Sequence, residues 1–154
     1  MDEHKNDIGR FMVAVGAVIE CVTDGTILVV KRSTNQDFQG GVWELVYGRV
    51  SQFEAPIDGL IREHREEVGF DSFIVIRPLR TWHLYRGEET AEKELIGITY
   101  WCQVQDKPPI HLNEEHTEYA WVTPEQALEL ISVEGIKEDV LTYIKVKKEE
   151  HARH

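Results

Sequence analysis

A short stretch near the middle of the chain carries an unusual density of carboxylates. The segment REHREEVG places five charged residues among eight, and three of the five are glutamates. At about 100° per residue of an α-helix, Glu63, Glu66 and Glu67 share one narrow arc. A helix that keeps them together is suited to hold a hard cation such as Mg²⁺, which takes carboxylate oxygens and keeps waters that substrate phosphates can replace.

A solvated acidic face accounts for the same carboxylates without any ligand. Arg62 is placed to pair with Glu66, although like charges three and four residues apart destabilise a bare helix by about 0.2–0.5 kcal/mol per pair. The adjacent arc of the helix is apolar, so one face is predicted to pack and the next to present acid. From this segment alone a solvated acidic face is the favoured interpretation, and a cation site is the alternative.

The spacing of residues over a longer segment decides between these interpretations. The pattern resembles the Nudix box, G-x5-E-x7-R-E-U-x-E-E-x-G-U with U apolar, and every fixed residue of the box is matched. The matching residues are Gly48, Glu54, Arg62, Glu63, Glu66, Glu67 and Gly69. Because each residue type is used at roughly 5–8%, such a match arises by chance about once in 10⁸ windows. His64 stands at an apolar position of the box, which predicts a buried, neutral histidine.

Two further segments carry the resemblance beyond the box. GVWELVYGRV is similar to the family's W-E-L-P-G-G-K-V lead-in, with Val46 in place of the proline and Tyr47 in place of the first glycine. NEEHTEYAWVTPEQAL is similar to the family's late strand and the helix that follows it. The resemblance implies an α+β Nudix fold, a mixed β-sheet sandwiched between α-helices. It also implies a single domain over residues 1–154, of which residues 1–10 are predicted to be a flexible extension.

Local patterns predict the elements that position the box. β-Rich segments bounded by turn residues predict strands over residues 11–21, 26–32, 42–48, 72–79, 81–86, 94–104 and 117–123, the first two forming a hairpin. Pro56 suits the first turn of a helix and Gly69 its end, so the box helix is predicted to run to Val68. Further helices are predicted from Pro124 to Ile131 and from about residue 134 to 147.

The resemblance assigns roles to the residues of the box. Glu66 and Glu67 match the family's paired metal ligands. Glu63 matches the acid that binds further metal or activates water. Arg62 and Glu54 match a structural pair that orients the box, and we count them with Glu63 in the catalytic machinery.

The loops beside the box supply the rest of the predicted site. Gly48 lets the backbone approach metal and phosphate closely, and the carbonyl of the preceding residue, here Tyr47, often joins the metal shell in this family. A further acid often comes from the loop before the late strand. Glu115 is our choice, Glu114 and Glu118 are its competitors, and a solvated loop is the alternative to a catalytic role.

The activity implied by the resemblance is metal-dependent hydrolysis of a diphosphate linkage in a nucleoside diphosphate-X compound, with Mg²⁺ or Mn²⁺ as cofactor. Nucleoside triphosphates are the favoured substrate class, because the chain is short and has no added domain. Trp43 is the first candidate to stack on a base, although aromatics on strands are more often part of the core. Other candidates are Phe38, Trp82 and Tyr100.

Composition limits the partners. A formal net charge of -11 repels nucleic-acid backbone, so phosphate handling needs an intervening cation. Cys21 and Cys102 have no metal-type pairing and are predicted to be buried thiols in a reducing compartment. The polar N-terminus and the absence of a long apolar run favour a soluble, cytoplasmic protein without a membrane partner. The resemblance also admits a homodimer.

Two rival functions remain. The isoprenoid-diphosphate isomerase branch of the same fold needs a catalytic cysteine and glutamate in the pocket, whereas Cys21 and Cys102 both lie in predicted strands without that context. A non-catalytic Nudix-like binding or regulatory module typically loses box glutamates, and this chain retains them. Hydrolysis of a nucleotide panel separates an enzyme from such a module.

Overall fold

The computed structural model describes residues 7–36 and 38–153, so the predicted extension over residues 1–10 falls largely outside the described part. The strands are β1 (Met12–Cys21), β2 (Ile27–Arg32), β3 (Trp43–Glu44), β4 (Val46–Arg49), β5 (Ile74–Tyr85), β6 (Glu94–Val104) and β7 (His116–Val122). The helices are α1 (Pro56–Val68), α2 (Pro124–Leu130) and α3 (Glu134–Ala152), and a single 3-10 turn spans Ala91–Lys93.

All seven strands join one sheet whose centre is β1. The main path runs β3-β2-β1-β6-β5, while β4 pairs with β1 and β7 pairs with β2. The β1–β6 pair is parallel from Met12 beside Leu95 to Cys21 beside Val104, and the other pairs are antiparallel. The predicted mixed sheet and α+β class are confirmed, and the hairpin of β1 and β2 is present.

Helices cover both faces of this sheet because β1 is apolar on both. Val15, Ala17 and Ile19 pack with Leu60 of α1 in one apolar cluster. Val18, on the opposite face of the strand, packs in a second cluster with residues of α2 and α3. A strand with alternate side chains buried on opposite faces needs a layer on each side. The box helix therefore lies on one face and the two C-terminal helices on the other.

The box helix begins and ends where its sequence predicts. Pro56 occupies the first turn, and Gly69 follows Val68 with a left-handed φ of 81°. The Gly69 N–H donates to the carbonyl of His64, closing the last turn. A side chain at Gly69 would be strained by that φ and would also contact His111. These ends fix the rotation of α1 and therefore the direction of its glutamates.

Three predicted boundaries are wrong, each for a physical reason. The segment 42–48 is two strands because Trp43–Glu44 pairs with β2 while Val46–Arg49 pairs with β1. The predicted strands 72–79 and 81–86 are one edge strand, β5, whose register shifts near Pro78 let it accommodate proline. Helix α3 continues to Ala152 because its lysines and glutamates are good helix formers.

The burial of the two cysteines agrees with the sequence expectation. Cys21 and Cys102 are buried and unbridged. Among the described residues, no helix is long and apolar enough to cross a membrane.

Candidate active site

The loop between β4 and α1 is anchored to the helix by a bidentate ion pair. Arg62 Nε lies 2.7 Å from Glu54 Oε2, and its Nη2 lies 2.9 Å from Glu54 Oε1. Arg62 also donates to the carbonyl of Arg49 at 2.9 Å, and Glu54 accepts from the Ser51 backbone N–H at 2.9 Å. The guanidinium lowers the pKa of Glu54 to about 2. Arg62 and Glu54 therefore hold the loop and do not line the cavity described below.

Glu63 lies directly over Gly48 at the end of β4. A Cβ atom built on Gly48 would sit 2.0 Å from Glu63 Cδ. Any other residue at this position would displace the carboxylate, which explains the box glycine as space for Glu63. The same carboxylate accepts from Arg62 Nη1 at 2.9 Å, so the anchor also orients it.

Glu66 is the most exposed of the three box carboxylates on α1. Its side chain is 55% exposed and pairs with Arg62 at 3.2 Å. This is the i,i+4 pair that the sequence allows. Glu66 does not line the cavity that holds Glu63 and Glu67. Its predicted role as a metal ligand stays a prediction.

Glu67 is buried, with 3% of its surface exposed, although it is an acid. Its Oε2 atom has no hydrogen-bond partner in the described structure. Burial and the neighbouring carboxylates of Glu115 and Glu63 raise the pKa of Glu67 far above its ordinary value. A buried, unpaired carboxylate is costly, so this atom is suited to receive a cation.

The loop before β7 brings Glu115 to the same point. The Glu115 carboxylate lies close to that of Glu67, and this contact lowers the pKa of Glu115. Its backbone is fixed, because its N–H donates to Asn113 Oδ1 and its carbonyl accepts from the Ser33 N–H. Of its competitors, Glu114 is exposed and Glu118 pairs with Lys31 at 3.3 Å.

The carboxylates line one end of a cavity of about 590 Å³. Glu63, Glu67 and Glu115 form the acidic end. The rest of the lining includes arginines and aromatic rings, namely Arg32, Arg49, Arg80, Arg86, Phe38, Tyr47 and Trp82. A lining that combines carboxylates, cations and flat rings suits a ligand that has both phosphates and a ring system.

A buried polar network centred on Asp139 supports the part of the cavity that Tyr47, Arg80 and Trp82 line. Tyr47 donates its hydroxyl to Asp139 Oδ2 at 2.5 Å, and Thr99 donates to the same oxygen at 2.8 Å. Arg80 pairs with Asp139 Oδ1 at 2.8 Å, and Trp82 Nε1 donates to Thr99 at 2.9 Å. The Tyr47 side chain therefore ties β4 to α3. The predicted role of its carbonyl at a metal stays a prediction.

The aromatic candidates fall into two groups. Phe38 and Trp82 line the cavity. Trp43 packs against the second apolar cluster, beside the C-terminal helices, and does not line the cavity. Tyr100 belongs to the first apolar cluster. Phe38 and Trp82 are therefore placed to contact a ligand bound in the cavity. A substrate role for Trp43 stays a prediction.

His64 is buried on the packed face of α1, as its place in the apolar arc predicts. It is fully buried, its Nδ1 lies 2.8 Å from the Leu60 carbonyl, and its ring contacts Phe73. Burial lowers the pKa of His64 to about 4, so the ring is neutral near pH 7. His64 is a core residue of the box helix.

The sequence interpretation missed two residues of the site. His116 begins β7 next to Glu115, and its Nε2 lies 2.8 Å from Glu44 Oε2. Both side chains are buried. His116, Glu67 and Glu115 each bring a potential ligand atom within 4.8 Å of the others. The adjacency of His116 to the chosen loop acid was the available signal, but strand periodicity alone does not reveal that its ring turns toward α1.

Comparisons with known proteins agree with the resemblance that the box carries. The NUDIX domain model matches residues 10–143. A CTP pyrophosphohydrolase of Escherichia coli is 30% identical over 125 residues, which cover 78% of this chain and 82% of that protein. The nucleoside triphosphatase NudI of Salmonella arizonae is 30% identical over 111 residues, covering 67% and 77%. The crystal structure of a MutT protein from Methanosarcina mazei Go1 matches with a TM-score of 0.74 and 25% identity, covering 91% of this chain and 97% of that one.

Proposed function

This chain belongs to the Nudix family and is a pyrophosphohydrolase of that family, and we propose that its substrates are nucleoside triphosphates. The observation that carries the proposal is Glu67, a buried acid with an unpaired oxygen beside Glu63 and Glu115 at one end of a cavity. The names of the related CTP pyrophosphohydrolase and nucleoside triphosphatase support the same substrate class. The domain organisation we propose is one Nudix domain over residues 1–154.

The volume and lining of the cavity support the binding of a nucleoside triphosphate. Small-molecule sites commonly enclose about 300–1,000 Å³, and 590 Å³ falls in that range. Phe38 and Trp82 offer aromatic surface for a base. We place the phosphates at the acidic end, where the carboxylates lie, and the base toward the rings.

The residues present fit the divalent metal that Nudix hydrolases generally use. Glu67 Oε2 is a buried donor atom without a partner, and hard divalent cations prefer carboxylate oxygens. In our proposal Glu67 and Glu115 hold Mg²⁺ or Mn²⁺, with Glu63 beside them, while Glu66 and the Tyr47 carbonyl are further candidates. Such a cation supplies charge neutralisation at phosphate and a bound water of lowered pKa.

Each of the remaining site residues has its own proposed role in the reaction. We propose that Glu63 accepts the proton of the attacking water, because it lines the cavity and contacts Glu67. Arg62 and Glu54 orient Glu63 from outside the cavity. Gly48 leaves the space that the Glu63 side chain occupies. Glu115 completes the acidic end from the loop.

The test is phosphate and pyrophosphate release from a panel of nucleoside triphosphates, nucleotide sugars, ADP-ribose and dinucleoside polyphosphates. We expect turnover with Mg²⁺ or Mn²⁺, faster on triphosphates than on the other classes. Excess EDTA should abolish it. Tight nucleotide binding without hydrolysis of any compound would favour the non-catalytic module. Faster turnover of another class of compound would show that the substrate class is wrong, while hydrolysis of a diphosphate linkage would still be the reaction.

A further inference from the structure

His116 lies behind the acidic end of the cavity, beside Glu67, and its ring is held from one side only. The side chain is buried, with 4% of the residue exposed. Nε2 lies 2.8 Å from Glu44 Oε2, and Arg32 Nη1 approaches the same oxygen at 3.4 Å. The ring is thus fixed by a carboxylate that is itself paired with a cation.

This arrangement assigns the proton on the imidazole ring. A carboxylate only accepts hydrogen bonds, so the contact with Glu44 requires the proton on Nε2 of His116. In the neutral ring Nδ1 then carries a lone pair. A carboxylate that fixes one ring nitrogen while the other faces a metal is the usual support of a metal-binding histidine.

Nδ1 of His116 has no hydrogen-bond partner in the described structure, although it is buried. It lies 4.0 Å from Glu67 Oε1, too far for a hydrogen bond between them. Two ligand atoms, each about 2.1 Å from one ion, lie between about 3.0 and 4.2 Å apart. A cation between them satisfies Nδ1 and binds the Glu67 carboxylate, whose other oxygen, Oε2, has no partner in the described structure.

We propose that His116 Nδ1 is a ligand of the divalent cation, together with Glu67 and Glu115, and that Glu44 and Arg32 orient the ring. This inference rests on the metal site in the proposed function and adds a nitrogen donor to it. Imidazole suits transition metals, whereas Mg²⁺ prefers oxygen. The site should therefore bind Mn²⁺ more tightly than Mg²⁺, and His116 should account for much of the difference.

Pulsed electron paramagnetic resonance of Mn²⁺ bound to the protein, without nucleotide, tests the nitrogen directly. We expect modulation from a directly bound ¹⁴N, replaced by the ¹⁵N pattern when histidine is ¹⁵N-labelled. That isotope comparison needs no variant, so it does not depend on a substituted protein folding. Absence of a histidine nitrogen, or of any bound Mn²⁺, would overturn the proposal.

Variants identify which histidine is bound. His116→Gln should remove the nitrogen modulation and weaken Mn²⁺ binding at least tenfold, with a smaller loss for Mg²⁺. The matched control is His64→Gln, since His64 is equally buried but packs against Phe73. Modulation that persists in His116→Gln, or disappears in a folded His64→Gln protein, would contradict the assignment.

The test of the His116 ligand and the test of the proposed hydrolysis can fail independently. Metal-dependent turnover without a bound nitrogen refutes only the His116 ligand. A bound nitrogen in a protein that hydrolyses none of the panel supports the metal site and refutes the hydrolase.

Discussion

Two buried glutamates in this molecule differ in how their charge is satisfied. Glu20 on β1 accepts from Trp101 and Gln103 through one oxygen, and from Tyr143 and Lys147 through the other. Burial opposes its ionisation, but hydrogen bonds from Lys147 and its neighbours lower the pKa of Glu20 overall. The protein thus supplies every partner that this carboxylate needs.

Glu67 has the opposite environment at nearly the same burial. Its exposed fraction is 3% against 2% for Glu20, yet its closest charged neighbours are Glu115 and Glu63. Burial and those neighbours raise the pKa of Glu67, and one of its oxygens has no partner. A buried carboxylate with internal partners is satisfied within the fold, whereas one surrounded by acids is suited to an external cation.

The largest effect should come from neutralising Glu67. We expect Glu67→Gln to lower turnover by at least 10²-fold, about 2.7 kcal/mol of barrier, because the amide removes the charge that holds the metal. The metal-free variant should melt at the same temperature as wild type or higher, since the neutral amide avoids the proton uptake that folding imposes on Glu67. Steady-state kinetics at saturating Mg²⁺ and circular dichroism melts measure both.

Glu20→Gln is the matched control and should show the reverse pattern. Loss of its charged partner for Lys147 should cost about 1–3 kcal/mol of stability while turnover changes little. If Glu67→Gln instead destabilised the fold and kept wild-type turnover, Glu67 would have a structural role like that of Glu20. The proposed difference between the two glutamates would then be wrong.

A smaller effect is expected at the loop acid. Glu115→Gln should lower turnover about tenfold, because water replaces a loop ligand more easily than a helix ligand in a fixed shell. Glu118→Gln is the control, since Glu118 lies on the same segment but pairs with Lys31. A larger loss for Glu115→Gln than for Glu67→Gln would move the main catalytic acid from the helix to the loop.

The raised pKa of Glu67 predicts how the stability of the metal-free protein depends on pH. Above the ordinary carboxyl pKa the unfolded chain releases this proton while the folded protein retains it, so stability falls as pH rises. Melting temperatures in EDTA from about pH 5 to about pH 9 should therefore decline more steeply in wild type than in Glu67→Gln. Parallel curves would show that Glu67 does not retain a proton in the fold.

The smallest effect is expected at His64. His64→Leu should keep or raise the melting temperature and change turnover by no more than a few-fold, because the ring packs in the core. Its pKa is lowered from 6.5 to about 4, so wild-type stability is lost as pH falls through that window, and the variant should lose less. A hundredfold loss of turnover in a folded variant would assign His64 to catalysis.

The ends of the box helix were predictable from local signals, and the fold was predictable from the resemblance that the box carries. Pro56 and Gly69 set the ends of α1, and the fixed spacing of the box identified Glu63 and Glu67. The difference in exposure between Glu66 and Glu67 was not predictable, since the box pairs the two residues and the segment with Glu115 and His116 lies beside Glu67. Likewise, His116 was missed because its role depends on Glu44, which a separate strand brings against β2.

The most direct test of the central claim is calorimetric titration of Mn²⁺ into metal-free wild type and Glu67→Gln. We predict saturable binding to wild type and at least tenfold weaker binding to the variant. The melting temperature of wild type should rise with Mn²⁺, by an amount corresponding to about 2.7 kcal/mol at a hundredfold excess over the dissociation constant. Equal affinity of the two proteins for Mn²⁺ would contradict the account of Glu67 as the acid that holds the metal.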